Sequence, residues 1–178
     1  ALPSGFYLEN FRKAFVEANM GEYFINSIMV TGLALAILLV IAIPAAYVLS
    51  RFEFKSKKIL NLLFSAGLFI NVNYIVVPIF LLVLDGEKLV RQIFAIPSSM
   101  TVFLDNRIVL SIIYASTALP FTIHLLMTFF KSLSKTYEEA AYIDGCTNFQ
   151  TLIHVIMPMA KPSIITVILF YIIFCKDT

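Results

Sequence analysis

IMVTGLALAILLVIAIPAAYVL, residues 28–49, is a run of 22 residues without Asp, Glu, Lys or Arg. As an α-helix it would extend about 33 Å at ~1.5 Å per residue, which matches the roughly 30 Å hydrocarbon core of a bilayer. A charge at the centre of a bilayer costs roughly 2.5–3.5 kcal/mol on insertion scales, which explains why charged residues are excluded. The run therefore predicts a membrane-spanning helix.

Three further uncharged runs follow, at 59–84, 108–130 and 162–175. The first two exceed the ~20 residues that a span requires, whereas the last is shorter and meets charged residues beyond its end. The chain is thus predicted to be an all-α polytopic bundle with three complete spans and a partial fourth. We expect it to be part of a larger membrane protein, shortened at both ends.

Composition excludes several classes of protein. Of the 178 residues, 60% are hydrophobic and 13% are charged, and the net charge is only +2. These values argue against a disordered chain and a basic nucleic-acid binder. Cys146 and Cys175 have no CxxC partner, so neither a metal site nor a disulfide is expected.

The loops predict the orientation in the membrane. The short loop 50–58 carries four Lys/Arg against one Glu, and such loops stay on the cytoplasmic side. The loop 85–107 is balanced and suits the outside, so 131–161 is cytoplasmic by alternation. Residues 1–27 are then an external loop, in which apolar spacing predicts a short amphipathic helix.

Polar residues within the second span suggest a path for a solute. Asn71 and Tyr74 are three residues apart and share a helix face with Pro78. Intramembrane polar groups face other helices or a cavity. Asn71 and Tyr74 are therefore candidates for the substrate path, and hydrogen bonding between helices is the alternative.

The loop 131–161 holds the most informative pattern. A short helix is predicted near Tyr137, with Glu138 and Glu139 in its first turn, where acidic groups complement the helix dipole. Two alanines follow, and small side chains allow another surface to approach closely. Gly145 suits the left-handed position that ends a helix. Asp144, at the wrong end for the dipole, is expected to cap the next segment or bind a partner.

A second amphipathic helix is predicted after Gly145. Thr147 and Gln150 have the spacing of a capping box. The apolar residues that follow recur at i, i+3, i+4 and i+7 and predict one apolar face; they are Phe149, Leu152, Ile153 and Ile156. Pro158 and Pro162 are expected to end this helix and begin the last span.

These residues resemble the EAA loop of ABC importer permeases, whose pattern runs E-A-A-x3-G-x9-I-x-L-P. The match extends from Glu139 to Pro158, with Val155 and Met157 as conservative replacements. Three flanking motifs resemble carbohydrate-type permeases, so that the resemblance covers roughly 8–175. These motifs are Asn26-Ser27, Ala45-Ala46-Tyr47-x3-Arg51-Phe52 and Leu119-Pro120-Phe121.

The resemblance implies a permease subunit for a sugar or oligosaccharide in the bacterial inner membrane. It implies three kinds of protein partner: cytoplasmic ATPase subunits, a second permease and an extracytoplasmic solute-binding protein. ATP would be bound and hydrolysed by the ATPase, with no cofactor here. The residues implied in coupling to the ATPase are Glu138, Glu139, Ala140, Ala141, Asp144, Gly145 and Pro158.

Two alternatives remain open at this stage. The solute could be a peptide, an amino acid or an ion, because the EAA loop is shared across importers. A polytopic membrane protein outside transport is the other alternative. No Gly-rich phosphate loop or catalytic cluster occurs in the sequence, so we expect no enzymatic activity.

Overall fold

The computed structural model describes residues 20–70, 72–94, 103 and 106–176, and within these ranges every regular element is helical. The predicted amphipathic helix lies largely in 1–19, outside the described residues. The elements in chain order are α1 (Met20–Arg51), α2 (Lys57–Leu68), α3 (Val72–Phe94), α4 (Arg107–Ser132), α5 (Thr136–Ile143), α6 (Asn148–Thr151), a π-helix (Leu152–Ile156), α7 (Met157–Met159) and α8 (Lys161–Lys176).

The helices α1 and α4 pack along each other and form the core. Buried side chains on α1 recur about every fourth residue and are mostly small; they include Val30, Ala34, Leu38, Ala42 and Ala46. Small residues let two helix backbones approach closely in a membrane. On α4, Ser111 Oγ lies 3.2 Å from the Val30 carbonyl oxygen and 2.7 Å from that of Arg107, and it can donate to either.

Both helices are long and apolar enough to cross a membrane. This confirms the predicted spans 28–49 and 108–130, each of which lies inside a longer helix. A further candidate is a bent pair in which Asn148–Met159 meets Lys161–Cys175 at 74°. The predicted fourth span is the second arm of this pair.

The run 59–84 is not one continuous helix, which corrects the expectation of a single second span. The helix α2 ends at Leu68, and α3 begins at Val72. The Phe69 amide donates to the Ala66 carbonyl oxygen, a bond of the i→i+3 type that tightens the last turn. The segment 69–73 includes two Asn residues, which favour turns over helix interiors.

The helix α3 also continues beyond the predicted end of the span at residue 84, as far as Phe94. Ion pairs at helical spacing support this extension. Lys88 Nζ lies 2.9 Å from Asp85 Oδ1, and Arg91 Nη2 lies 2.9 Å from Glu87 Oε1. Such pairs stabilise a helix that hydrophobicity alone does not predict.

One close contact fixes how α2 crosses α4. A Cβ atom placed on Gly67 would lie 2.9 Å from Pro120 Cγ and 3.0 Å from its Cβ. A proline ring cannot rotate away, so only glycine fits at this distance. By contrast, a Cβ on Gly32 in α1 would meet no atom within 4 Å.

These two glycines give a matched test of the packing. We expect Gly67→Ala to lower the free energy of unfolding by about 1–3 kcal/mol through overpacking. Gly32→Ala should leave it unchanged or raise it by up to about 1 kcal/mol, because alanine favours a helix interior. Thermal unfolding of the two variants in detergent measures the difference. Equal unfolding temperatures would contradict the close contact at Pro120.

Candidate functional site

The candidate site is built on α5, which the sequence predicts near Tyr137. The helix begins at Thr136, whose amide donates to Ser134 Oγ at 3.3 Å. Glu138 and Glu139 occupy the first turn, as predicted. Their carboxylates thus lie near the partial positive charge of the helix N-terminus.

A Schellman motif ends α5. The Gly145 amide donates to the Tyr142 carbonyl oxygen at 3.1 Å, and the Cys146 amide donates to that of Ala141 at 2.9 Å. These are the two bonds that define the motif. Gly145 has a φ of +83°, the left-handed conformation that L side chains adopt at a cost. The sequence interpretation of Gly145 is confirmed.

The predicted capping box starts the next helix. Thr147 Oγ1 accepts from the Gln150 amide at 3.4 Å, and Gln150 Oε1 accepts from the Thr147 amide at 2.8 Å. Thr147, and not Asp144, therefore caps this segment. Asp144 lies exposed at the end of α5.

The second helix departs from the predicted amphipathic pattern. Its chain widens into a π-helix over Leu152–Ile156, in which only the first and last residues are buried. Phe149 is 69% exposed and Ile153 is also exposed. One wider turn changes the angular positions that regular α-helical spacing assigns. The four apolar residues therefore do not form one buried face.

The bend that follows lies between the two prolines. Pro158 does not end its helix, because α7 continues through it to Met159. The Ala160 amide donates to both Ile156 and Met157 carbonyl oxygens. Pro162 lies in the first turn of α8, where a missing N–H costs nothing.

A buried ion pair attaches α5 to the rest of the chain. Arg51 Nε at the end of α1 lies 2.7 Å from Glu138 Oε1, and the two side chains are 6% and 8% exposed. The two atoms do not meet hydrogen-bond geometry, so the contact is a close Coulombic one. Arg51 Nη2 donates to the Leu133 carbonyl oxygen at 2.9 Å. Leu133 is the C-cap of α4.

Burial is the dominant electrostatic effect on Glu138. Desolvation raises the pKa of its carboxyl group, and the attraction of Arg51 and Lys135 opposes that rise without cancelling it. Ionised Glu138 thus depends on Arg51. The sequence placed Glu138 among partner-facing residues, but its nearest charged partner lies within the chain.

The two faces of α5 have different surroundings. Glu138 and Ala141, three residues apart, are buried against the chain itself. Glu139, Ala140 and Ile143 lie on the opposite side and are exposed, Ile143 to 86%. We call these last three residues the outer face. Ala141, only 5% exposed, packs inside the chain and offers little surface for another protein.

The candidate path residues are not brought to a cavity. Asn71 lies outside the described residues, and Tyr74 is exposed in the first turn of α3. A cavity of about 260 Å³ between α2, α4 and α8 includes neither of them. In that cavity Phe121 stacks on Phe170 with ring centroids 4.5 Å apart.

The comparison with known families decides the identity. Residues 2–175 match the family described as binding-protein-dependent transport system inner membrane component. The chain belongs to this family. As an inner membrane component, it is a multi-pass protein of the bacterial inner membrane.

Curated relatives of this inner membrane component are sugar transport permeases. It is 35% identical over 170 residues to the diacetylchitobiose uptake system permease protein NgcG of Streptomyces coelicolor, covering 96% of this chain and 51% of that protein. It is 36% identical over 166 residues to the probable ABC transporter permease protein YurM of Bacillus subtilis, covering 93% and 50%. It is 31% identical over 173 residues to the trehalose transport system permease protein SugB of Mycobacterium tuberculosis, covering 97% and 58%.

A solved structure has the same fold. The crystal structure of a bacterial ABC transporter involved in import of the acidic polysaccharide alginate matches with a TM-score of 0.68 and 27% identity. The alignment covers 85% of this chain and 47% of that one. The inner membrane component described here thus spans about half the length of the curated relatives it matches.

Sequence reasoning did not predict the contacts of Arg51. Arg51 was noticed only as part of a flanking motif, and Leu133 had no signal because its backbone carbonyl makes the contact. Two motifs 87 positions apart thus meet in one ion pair, from Arg51 to Glu138. A charge of each sign at the membrane boundary was the available signal, but several such charges occur in these loops.

Gly145 provides a test of the turn. Gly145→Val should destabilise the turn by about 1–2 kcal/mol, because an L side chain is strained at positive φ. Gly145→Asn should cost less, since asparagine tolerates this conformation. Hydrogen exchange of the Cys146 amide, which closes the motif, measures the local opening. Equal exchange rates in the two variants would contradict the motif.

Proposed function

We propose that this chain is a membrane-spanning permease subunit of a bacterial ABC importer and that its cytoplasmic loop couples it to an ATPase subunit. In this proposal it forms part of the translocation path for a sugar or oligosaccharide. It would work with a second permease and an extracytoplasmic solute-binding protein. ATP would be bound and hydrolysed by the partner subunits.

The observation that carries the proposal is the division of α5 into two faces. One face is held to the chain by the buried pair of Glu138 and Arg51. The outer face projects Glu139 and Ile143 away from the chain, and Phe149 is exposed just after it. Exposed apolar side chains beside charged ones are typical of a protein-binding surface.

Charge favours a protein partner over a lipid surface. The exposed charged residues between 138 and 150 are Glu139 and Asp144, and both are acidic. A helix that lies on anionic lipid uses Lys and Arg on its polar face. An interfacial helix is therefore the weaker interpretation of this loop.

The named relatives support a carbohydrate solute. Their printed names include diacetylchitobiose and trehalose, and the structural neighbour imports alginate. We extend this chemistry to the present chain at the level of the class, a sugar or oligosaccharide. Asn71 and Tyr74 stay proposed path residues, facing a route that the second permease would complete.

The proposed orientation places 50–58 and 131–161 in the cytoplasm and 85–107 outside. Domain limits remain those predicted, with 1–27 external and 28–175 forming the permease core. Arg51 and Glu138 are then both at the cytoplasmic boundary, which agrees with their direct contact.

Substitutions on the exposed surface test the docking. We expect Phe149→Asp to lower the amount of co-purified ATPase subunit at least tenfold. Burial of one large apolar side chain contributes about 1.5–3 kcal/mol, and ~1.4 kcal/mol corresponds to tenfold in affinity. Phe54→Asp is the matched control, because Phe54 is an exposed phenylalanine in the loop after α1. It should leave co-purification unchanged.

The measurement is a pull-down of the ATPase subunit of the same cell by the tagged permease from solubilised membranes, normalised to the inserted chain. Equal recovery with Phe149→Asp and Phe54→Asp would contradict docking through this surface. If the unsubstituted chain recovers no ATPase subunit, the proposed coupling function fails as a whole.

A further inference from the structure

Arg51 connects three helices at the end of the bundle. It is the last residue of α1, it donates to the Leu133 carbonyl oxygen at the end of α4, and it pairs with Glu138 on α5. Leu133 closes α4, and an arginine there satisfies a carbonyl group that the helix leaves free. The contact thus joins the two long core helices to the loop.

Aromatic side chains surround the start of this connection. Tyr47, one turn before Arg51, is buried and packs edge-on against Phe52 and Phe130 at centroid distances of 5.9 and 6.2 Å. The ion pair therefore lies beside a packed apolar cluster. Little water reaches the two charges, as their low exposure indicates.

A buried ion pair is a poor source of net stability, because desolvation of the two charges offsets their attraction. Its strength lies in geometry: removing either partner leaves an uncompensated buried charge. The planar guanidinium is well suited to fix two acceptors at once. Here those acceptors belong to the end of α4 and the first turn of α5.

We propose that Arg51 and Glu138 are positioning residues that hold α5 to the ends of α1 and α4 and transmit displacement of the loop to these membrane helices. This inference rests on the proposed coupling function. The ATPase would press on the outer face of α5, and the buried face would pass the displacement on through Arg51. Glu138 and Glu139 are adjacent, yet one serves the linkage and the other the docking.

The placement of α5 can be measured without any partner. In a Cys146→Ser/Cys175→Ser background, spin labels at Ile143 and Val40 report the distance from loop to α1, and labels at Val40 and Ile112 report the packing of α1 on α4. All three positions are exposed. We expect Glu138→Gln and Arg51→Gln to broaden the first distance distribution at least twofold and to leave the second unchanged.

The matched controls are Glu139→Gln on the outer face and Glu53→Gln in an exposed pair with Lys57. Both should leave the loop distance unchanged. An unchanged loop distance with Glu138→Gln would overturn the proposal. Broadening of both distances would also overturn it, because the pair would then hold the whole bundle and not the loop.

Transmission is measured with the ATPase subunit present. In proteoliposomes, ATP with orthovanadate traps the ATPase, and the accessibility of a label at Val40 to a water-soluble nickel chelate reports the response of α1. We expect Glu138→Gln and Arg51→Gln to reduce this response to a tenth or less while the ATPase subunit stays bound. Arg51→Lys, which keeps the charge, should retain at least half.

The outcomes separate the two claims. A full response with Arg51→Gln, or a response with Arg51→Lys as small as with Arg51→Gln, would overturn the linkage. Absence of ATPase binding to the unsubstituted chain would refute the proposed function, and the distance measurement would still decide whether Arg51 and Glu138 hold α5.

Discussion

The buried contact between Arg51 and Glu138 is the constraint on which the arrangement of the loop depends. Two opposite charges, each less than a tenth exposed, are tolerated there because each compensates the other. Their contact decides which side of α5 turns inward. Once Glu138 points to Arg51, Glu139 and Ile143 must point away, since they lie on the other side of an eight-residue helix. The surface available to a partner thus follows from an internal ion pair.

The membrane part supplies a stiff support for that pair. Small residues at about every fourth position of α1 allow close packing on α4, and Gly67 allows α2 to approach Pro120. Close packing resists deformation, because a dense interior has few voids to absorb displacement. A movement imposed at one end of α1 or α4 is therefore carried along the helix. This is the physical basis for a short loop acting on a transmembrane pathway.

Features governed by local chemistry were predictable from the sequence. Exclusion of charge predicted α1 and α4, the Thr147–Gln150 spacing predicted the capping box, and Gly145 marked the end of α5. Features governed by distant contacts were not predictable. The inward side of α5 is set by a residue far along the chain, so spacing alone could not separate Ala140 from Ala141.

Other departures also have physical causes. The break before Val72 separates two helices inside a run that hydropathy treats as uniform, because hydropathy does not include turn preference. The π-helix at Leu152–Ile156 changes helical periodicity, which spacing rules assume to be constant. The solute path could not be tested by the cavity, since Asn71 lies outside the described residues and Tyr74 faces away from it.

The most direct test of the account is the side of the membrane on which the outer face of α5 lies. A single cysteine at Ile143, in a background without Cys146 and Cys175, is treated with a membrane-impermeant maleimide, and a cysteine at the exposed Lys88 serves as the external reference. The account predicts that intact cells label position 88 only. Inverted vesicles should label position 143, and bound ATPase subunit should protect it. Labelling of position 143 in intact cells would contradict the account, because the loop would then face away from the ATPase.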